Sequence, residues 1–170
     1  MKISSKKLTG GQAAVKSLKK EQVKHVFGLI GSATMEMFDA LYHEKKIKFI
    51  DVRDERTGTH MADGYARASN QPGVIIAGQN GPGATNLVTG LAQAKAAFSP
   101  VVSLAGLYST KDNMEDAFQG LDQQSLFEPV TKKTITLKNS KNIPNAISDG
   151  FNIAMSPRRG PVCINLPRNL

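Results

Sequence analysis

The chain has 170 residues, a formal net charge of +8 and 40% hydrophobic residues. This length and composition are typical of one globular domain rather than a disordered chain, and no apolar run approaches the roughly 20 residues that a membrane span needs. The basic residues form scattered pairs that are not interleaved with aromatic residues, so the charge does not predict a protein that binds nucleic acid.

The compartment is indicated by cysteine use and by the N-terminal segment. A single cysteine, Cys163, lies in the apolar run PVCINL, which excludes an internal disulfide and predicts a small buried side chain. The N-terminal segment MKISSKKLTGGQ lacks the apolar core of a signal peptide. We therefore expect a cytoplasmic protein without a membrane association.

Six short apolar runs, rich in Val and Ile and without strict alternation, recur along the chain. Such runs are typical of strands that are buried on both faces of a parallel sheet. They cover residues 25–30, 47–52, 73–78, 101–106, 133–137 and 161–166.

Helical patterns separate these runs. Thr9 is predicted to cap the first helix and Ser32 the second. The second helix is expected to turn three side chains toward the core: Met35, Phe38 and Leu41. Residues 84–98 predict an Ala-rich helix, and Asn142 is predicted to cap the last one. Strand and helix thus alternate about six times, which predicts one α/β domain over residues 1–170, with three α/β/α layers and a mainly parallel, about six-stranded sheet.

Two glycine-rich loops follow predicted strands, at the sheet edge where α/β proteins bind ligands. GLIGSAT, residues 28–34, predicts either a close approach of backbone to a ligand or an ordinary turn. GQNGPGATN, residues 78–86, leaves the same two alternatives open. Its spacing, G-x-x-G-x-G, differs from the dinucleotide fingerprint, and it lacks the Lys-Ser/Thr ending of a P-loop, so binding of a nicotinamide or flavin nucleotide by this loop is disfavoured.

A third loop carries Glu55, which follows the predicted strand KFIDV and lies in the first turn of a predicted helix. A glutamate there is either a solvated residue that favours the helix dipole or a functional carboxylate at the same edge of the sheet. The three histidines, His25, His43 and His60, have no partner at ligand spacing. We interpret them as structural or surface residues, and no metal site is predicted.

Five motifs together resemble the N-terminal pyrimidine-binding domain of thiamine diphosphate-dependent enzymes, above all acetolactate synthases and sulfoacetaldehyde acetyltransferases. They are VFGLIG, RDERTGTHMADGYARA, GQNGPGATNLVTGLAQA, DAFQGLDQQSLFEPVTK and RRGPVCINLPRN. The resemblance implies the thiamine diphosphate-binding fold. It also implies that Glu55 is the catalytic glutamate, which hydrogen-bonds N1′ of the cofactor's aminopyrimidine so that the 4′-amino group can remove the C2 proton. The other cofactor-binding positions it implies are Leu29, Ile30, Gly31, Gln79, Pro82, Gly83, Asn86 and Gln119.

The resemblance also implies a reaction class, a second cofactor-binding domain and an oligomeric enzyme. Such enzymes transfer or condense two-carbon acyl units from 2-oxo acids or related donors, with cleavage and formation of C–C bonds. The diphosphate and Mg²⁺ are held by another domain, carrying a G-D-G…N segment that this sequence lacks, in another subunit of a homodimer or tetramer. We therefore expect the N-terminal piece of a longer enzyme, inactive in isolation. The alternatives are a non-catalytic domain or a subunit of a split decarboxylase, and the acyl donor and flavin dependence stay open.

Overall fold

A computed structural model describes residues 7–170 and has six strands and six α-helices within that range. The strands are β1 (His25–Leu29), β2 (Lys48–Asp51), β3 (Gly73–Ala77), β4 (Val101–Leu107), β5 (Lys133–Thr136) and β6 (Val162–Pro167). The helices are α1 (Gly10–Lys20), α2 (Met35–His43), α3 (Glu55–Ser69), α4 (Pro82–Ala96), α5 (Gln123–Phe127) and α6 (Ile143–Met155).

The strands form one sheet in the order β2-β1-β3-β4-β6-β5, and every neighbouring pair is parallel. One apolar cluster packs α1, α2 and α6 on one face of the sheet, and a second packs α3 and α4 on the other. The predicted three-layer α/β/α architecture is therefore confirmed. Because all strands run the same way, their carboxyl ends, and the loops that follow them, lie at one edge.

Burial along the strands departs from the prediction at the two sides of the sheet. β3, β4 and β6 are buried along their whole length, as their apolar runs predict. β2 and β5 pair with a neighbour on one side only, and each has an exposed residue. The prediction that these two strands are buried on both faces was wrong. The composition of a strand does not determine whether it lies at the centre or at the side of the sheet.

The helix caps confirm one sequence prediction and correct two. Thr9 caps α1 in a capping box with Gln12, as predicted. Ser32 does not cap α2, because a 3₁₀ turn (Ser32–Thr34) comes first and the Ser32 hydroxyl donates to Gln79 instead. Asn142 makes no side-chain cap for α6, since a 3₁₀ turn (Ser140–Asn142) again precedes the helix.

The core contains most of the side chains that the patterns assign to it. Phe38 and Leu41 are buried, but Met35, predicted to face inward, is 53% exposed because α2 only begins at this residue. Cys163 is fully buried, and the loss of hydration raises the pKa of its thiol to about 12. The prediction of a small buried side chain at this position is confirmed. Among residues 7–170, no helix combines the length and apolar character that crossing a membrane requires.

An ion pair on α3 makes the stability of the fold depend on pH. Burial by itself raises the pKa of the Asp63 carboxyl, but hydrogen bonds, chiefly from the Arg67 guanidinium at 2.9 and 2.5 Å, outweigh it and hold the pKa below its ordinary value of 3.8. A carboxyl whose pKa is lower in the folded than in the unfolded state contributes stability above the unfolded pKa, and loses it as pH falls through the folded pKa.

Arg67→Gln is therefore expected to lower the free energy of unfolding at pH 7, by an amount that solvent screening reduces because the Arg67 side chain is half exposed. The difference between variant and wild type should shrink in acid, below pH 3.8. Urea unfolding at pH 7 and in acid measures both. Arg56→Gln is the control on the same helix, since Arg56 lies 3.7 Å from Asp54 at the surface; an equal loss in both variants would contradict the role of the Asp63 pair.

Candidate active site at the carboxyl edge of the sheet

Glu55 is a buried carboxylate at the first residue of α3. Asp54 caps the helix by accepting a hydrogen bond from the Thr57 N–H at 3.2 Å, and the Thr59 hydroxyl donates to the Glu55 carbonyl at 2.7 Å. The Glu55 side chain therefore leaves a rigid helix start directly after β2. Only 4% of the residue is exposed, which excludes the alternative of a solvated first-turn glutamate.

The two oxygens of the Glu55 carboxylate differ in their contacts. Oε2 accepts a hydrogen bond from the Asn86 amide on α4 at 2.9 Å. Oε1 accepts none from any residue in 7–170, and it lies beside Gly83, where a Cβ would come within 3.0 Å of it. A glycine at this position thus leaves room next to the free oxygen. The carboxylate is fixed on one side and remains available as an acceptor on the other.

A chain of polar side chains links three neighbouring loops at this edge. The Ser32 backbone N–H and hydroxyl both donate to Gln79 Oε1, at 3.2 and 2.8 Å. The Gln79 amide group in turn donates to Gln119 Oε1. Gln79 also borders the carboxylate, because a Cβ added at Gly83 would lie 3.1 Å from the Gln79 Cβ as well as 3.0 Å from Glu55 Oε1.

The turn that opens α4 is held by buried amides. Gly81 has a φ of 60°, which favours glycine, and its N–H donates to Gln123 Oε1 at 3.2 Å. Gln123 is buried and donates to the Gly106 carbonyl and to Asn165 Oδ1, at 3.0 Å each. Asn80, also buried, donates to the carbonyls of Phe118 and Gln119 at 3.0 and 2.9 Å.

The sequence reasoning missed three of these residues. The sequence pattern predicts a helix cap for Ser32 and no role for Asn80 or Gln123. The N-G step after β3 was a usable signal for Asn80, because Asn next to a turn glycine commonly bonds nearby backbone. Nothing local marks Gln123, since its partners lie on distant strands.

The remaining predicted positions lie at the same edge without polar contacts of their side chains. The Leu29 carbonyl accepts from the Gly78 N–H at 3.1 Å, and a Cβ on Gly31 would meet the Gly78 carbonyl carbon at 2.5 Å, so the loops after β1 and β3 touch. Ile30 is exposed, and Pro82 is the exposed first residue of α4. The predicted positions therefore lie on neighbouring loops at one edge of the sheet.

The three histidines make no hydrogen bond to the polar side chains around Glu55. His25 packs its ring 5.4 Å from that of Tyr65, and His43 lies at the surface, 3.9 Å from Asp39. His60 is exposed on α3. Within residues 7–170, no three His, Cys, Asp or Glu side chains are grouped so that they could hold a metal ion.

Comparisons with known proteins identify a family and several relatives of the chain. The family model "Thiamine pyrophosphate enzyme, N-terminal TPP binding domain" matches residues 8–126. The probable acetolactate synthase large subunit of Methanocaldococcus jannaschii is 43% identical over 163 residues, which cover 96% of this chain and 27% of that protein. The acetolactate synthase isozyme 3 large subunit of Escherichia coli is 39% identical over 96% of this chain and 28% of its own length.

A fungal relative extends the same likeness. The mitochondrial acetolactate synthase catalytic subunit of Aspergillus candidus is 40% identical over 95% of this chain and 23% of its own length. The chain thus spans about a quarter of the length of the curated relatives it matches. It belongs to the thiamine pyrophosphate enzyme family, as an N-terminal TPP binding domain.

Proposed function

We propose that this chain is the pyrimidine-binding part of a thiamine diphosphate-dependent enzyme of the acetolactate synthase type, which acts on 2-oxo acids. The observation that carries the proposal is the buried Glu55, with one oxygen bound to Asn86 and the other free beside Gly83. The similar relatives are named acetolactate synthases, which favours that chemistry over the acetyl transfer of sulfoacetaldehyde acetyltransferases.

The residues at the edge fit an aminopyrimidine ring. A ring nitrogen that carries a proton needs an acceptor, and Glu55 Oε1 is a free acceptor in a buried position. The glycine at position 83 allows a flat group to approach that oxygen, where a side chain would block it. When bound, thiamine diphosphate supplies a carbanion at its thiazolium C2.

The protein's own part in this chemistry is to hold one proton. Asn86 fixes Oε2 and thereby the plane of the carboxylate, so that Oε1 keeps one direction. Glu55 then holds a proton between Oε1 and ring nitrogen N1′ of the cofactor, as a positioned acid or base does. The Asp54 cap and the hydrogen bond from the Thr59 hydroxyl to the Glu55 carbonyl fix the helix start that carries the carboxylate.

The proposal assigns the diphosphate and Mg²⁺ to a domain outside these residues, in another subunit of a homodimer or tetramer. Large apolar side chains are exposed in the segments that carry the site, as is common where a partner docks. They are Ile30 (56% exposed), Met35 (53%), Met61 (39%) and Phe118 (75%). Their exposure supports a partner surface around Glu55, and the single buried cysteine supports a cytoplasmic location.

A chimeric enzyme tests the proposal. Residues 8–170 of this chain replace the matching segment of the E. coli isozyme 3 large subunit, which is 39% identical over 163 residues. We expect the chimera to bind thiamine diphosphate with Mg²⁺ and to form acetolactate from pyruvate. A chimera that folds and assembles but neither binds the cofactor nor turns over pyruvate would contradict the proposal, and would favour a non-catalytic domain.

The proposed partner surface leads to a separate prediction for Gly64, which lies on the exposed side of α3. A Cβ built on Gly64 has no atom within 4 Å among the described residues. Gly64→Ala is therefore expected to stabilise the chain by itself by about 0.5–1 kcal/mol, because alanine is the better helix former. In the chimera, the added methyl should weaken subunit association if a partner packs closely there.

Thermal unfolding and sedimentation velocity measure these two effects. Gly58→Ala is the matched variant on the same helix, since its Cβ would lie 2.6 Å from Ile75 Cδ1, and it should destabilise the chain. Association that is unchanged by Gly64→Ala would place the partner surface elsewhere.

A further inference from the structure

We infer that Gln79 is a positioning residue that sets the orientation of the Gln119 carboxamide, so that the site offers an N–H donor to an acceptor oxygen of its ligand. This inference rests on the proposed function for its ligand, a 2-oxo acid. It concerns how the site recognises that ligand rather than how the cofactor is activated.

The orientation follows from a donor that cannot be reversed. The Ser32 backbone N–H can only donate, and it lies 3.2 Å from the Gln79 side chain. The Gln79 atom on that side must therefore be its carbonyl oxygen, which also accepts from the Ser32 hydroxyl at 2.8 Å. The NH₂ group of Gln79 consequently faces the other way, toward Gln119.

The orientation of the Gln119 carboxamide follows from that of Gln79. An NH₂ group only donates, so the Gln119 atom that meets Gln79 must be its oxygen. The Gln119 NH₂ group is then left without a hydrogen-bond partner among residues 7–170. Gln119 is half buried, so this NH₂ group can be reached by a ligand. A backbone N–H thus sets the polarity of a side chain two hydrogen bonds away.

The backbone at Gln119 is also held in place. Gln119 has a φ of 57°, and Asn80 donates to its carbonyl at 2.9 Å. A residue in this left-handed conformation persists when its surroundings fix it. The Gln119 side chain therefore starts from a fixed backbone and has its amide plane fixed by Gln79.

A free N–H donor selects for ligands that carry an acceptor. The carboxylate and carbonyl oxygens of a 2-oxo acid only accept, so they match the exposed NH₂ group of Gln119. A carbonyl oxygen in its place would face those oxygens with an unfavourable contact. The identity of residue 79 would then control substrate affinity without touching the substrate.

Exchange of side-chain amide protons, followed by NMR on the ¹⁵N-labelled chain, tests the orientation. The Gln79 amide proton that bonds to Gln119 should exchange at least about tenfold more slowly than either amide proton of Gln119, the factor that a hydrogen bond of ordinary strength contributes. Equal rates, or slower exchange at Gln119, would overturn the inference. This measurement needs no cofactor, so it is readable even if the proposed function fails.

Two substitutions sharpen the test. Gln79→Glu puts a carboxylate, which only accepts, next to Gln119, and the Gln119 amide should turn so that one of its own protons exchanges about tenfold more slowly. Ser32→Ala keeps the backbone N–H and should leave the wild-type pattern unchanged. Gln119 protons unaffected by Gln79→Glu, or a pattern lost in Ser32→Ala, would each count against the inference.

The ligand side is tested in the assembled holoenzyme. Gln79→Glu should raise the KM for pyruvate at least about tenfold, with a smaller change in kcat, because the turned amide and the added charge both repel an acceptor oxygen. Gln93→Glu, at an exposed position on α4, is the matched control. An unchanged KM would overturn the assignment of an acceptor ligand, while C2 proton exchange reports separately on the cofactor site.

Discussion

Glu55→Gln is expected to slow exchange of the cofactor's C2 proton by about 10²–10⁴-fold in the holoenzyme, the range for loss of a positioned acid or base. A glutamine at this position keeps the shape of the side chain and can still accept from Asn86. It cannot carry the proton that Glu55 Oε1 would share with the ring nitrogen. Hydrogen–deuterium exchange at C2, followed by quenching and NMR of the released cofactor, measures the effect.

The control for this variant is Glu36→Gln. Glu36 is an exposed carboxylate in the first turn of α2, at the same edge of the sheet. The Glu36→Gln enzyme should exchange the cofactor's C2 proton at the wild-type rate. Wild-type exchange in Glu55→Gln, in an enzyme that still binds the cofactor, would remove the basis of the proposed function.

Gly90→Ala is expected to destabilise the chain by about 1–3 kcal/mol, the usual cost of adding a methyl group to a tightly packed contact. The added Cβ would lie 2.5 Å from Thr59 Cβ and 2.6 Å from its Cγ2, where α3 crosses α4. Thr59 is buried and β-branched, so it has little freedom to move aside. Urea unfolding at pH 7 measures the change.

The same substitution should also disturb the site. The Thr59 hydroxyl bonds the Glu55 carbonyl, and Glu55 reaches Asn86 on the opposite helix. Pushing the helices apart is therefore expected to weaken the Glu55–Asn86 contact. Gly64→Ala is the control on α3, with an opposite sign of the stability change. A neutral Gly90→Ala would show that the helices can separate freely at this crossing.

The layers of the fold could be predicted because each element carries its own signal. Runs such as GVIIA and VVSLAG mark buried strands, and Thr9 marks the start of α1. The strand order could not be predicted in the same way, since β2 and β5 differ from central strands only in their neighbours. The 3₁₀ turns before α2 and α6 were missed because Ser and Asn favour such turns as much as helix caps.

Several residues of the candidate site could be named from the sequence, whereas the roles of Ser32, Asn80 and Gln123 and the contacts within the site could not be predicted. Glu55, Gly83 and Asn86 could be named from motif resemblance, and the structure places them together. The free oxygen of the carboxylate and the link from Ser32 through Gln79 depend on rotamers and on loops that are distant in sequence. Those contacts come from tertiary packing, which no local pattern encodes.

The strand order has a consequence for synthesis on the ribosome, where chains emerge from the N-terminus. The first four strands can assemble as β2-β1-β3-β4 as soon as they emerge, but the outer side of β4 pairs only with β6, the last strand. β5 emerges earlier than β6 and has no other neighbour. A nascent chain therefore carries an open β4 edge until residues 162–167 arrive, on a strand that the folded protein buries along its whole length, and this is the stage at which the chain is most prone to aggregate.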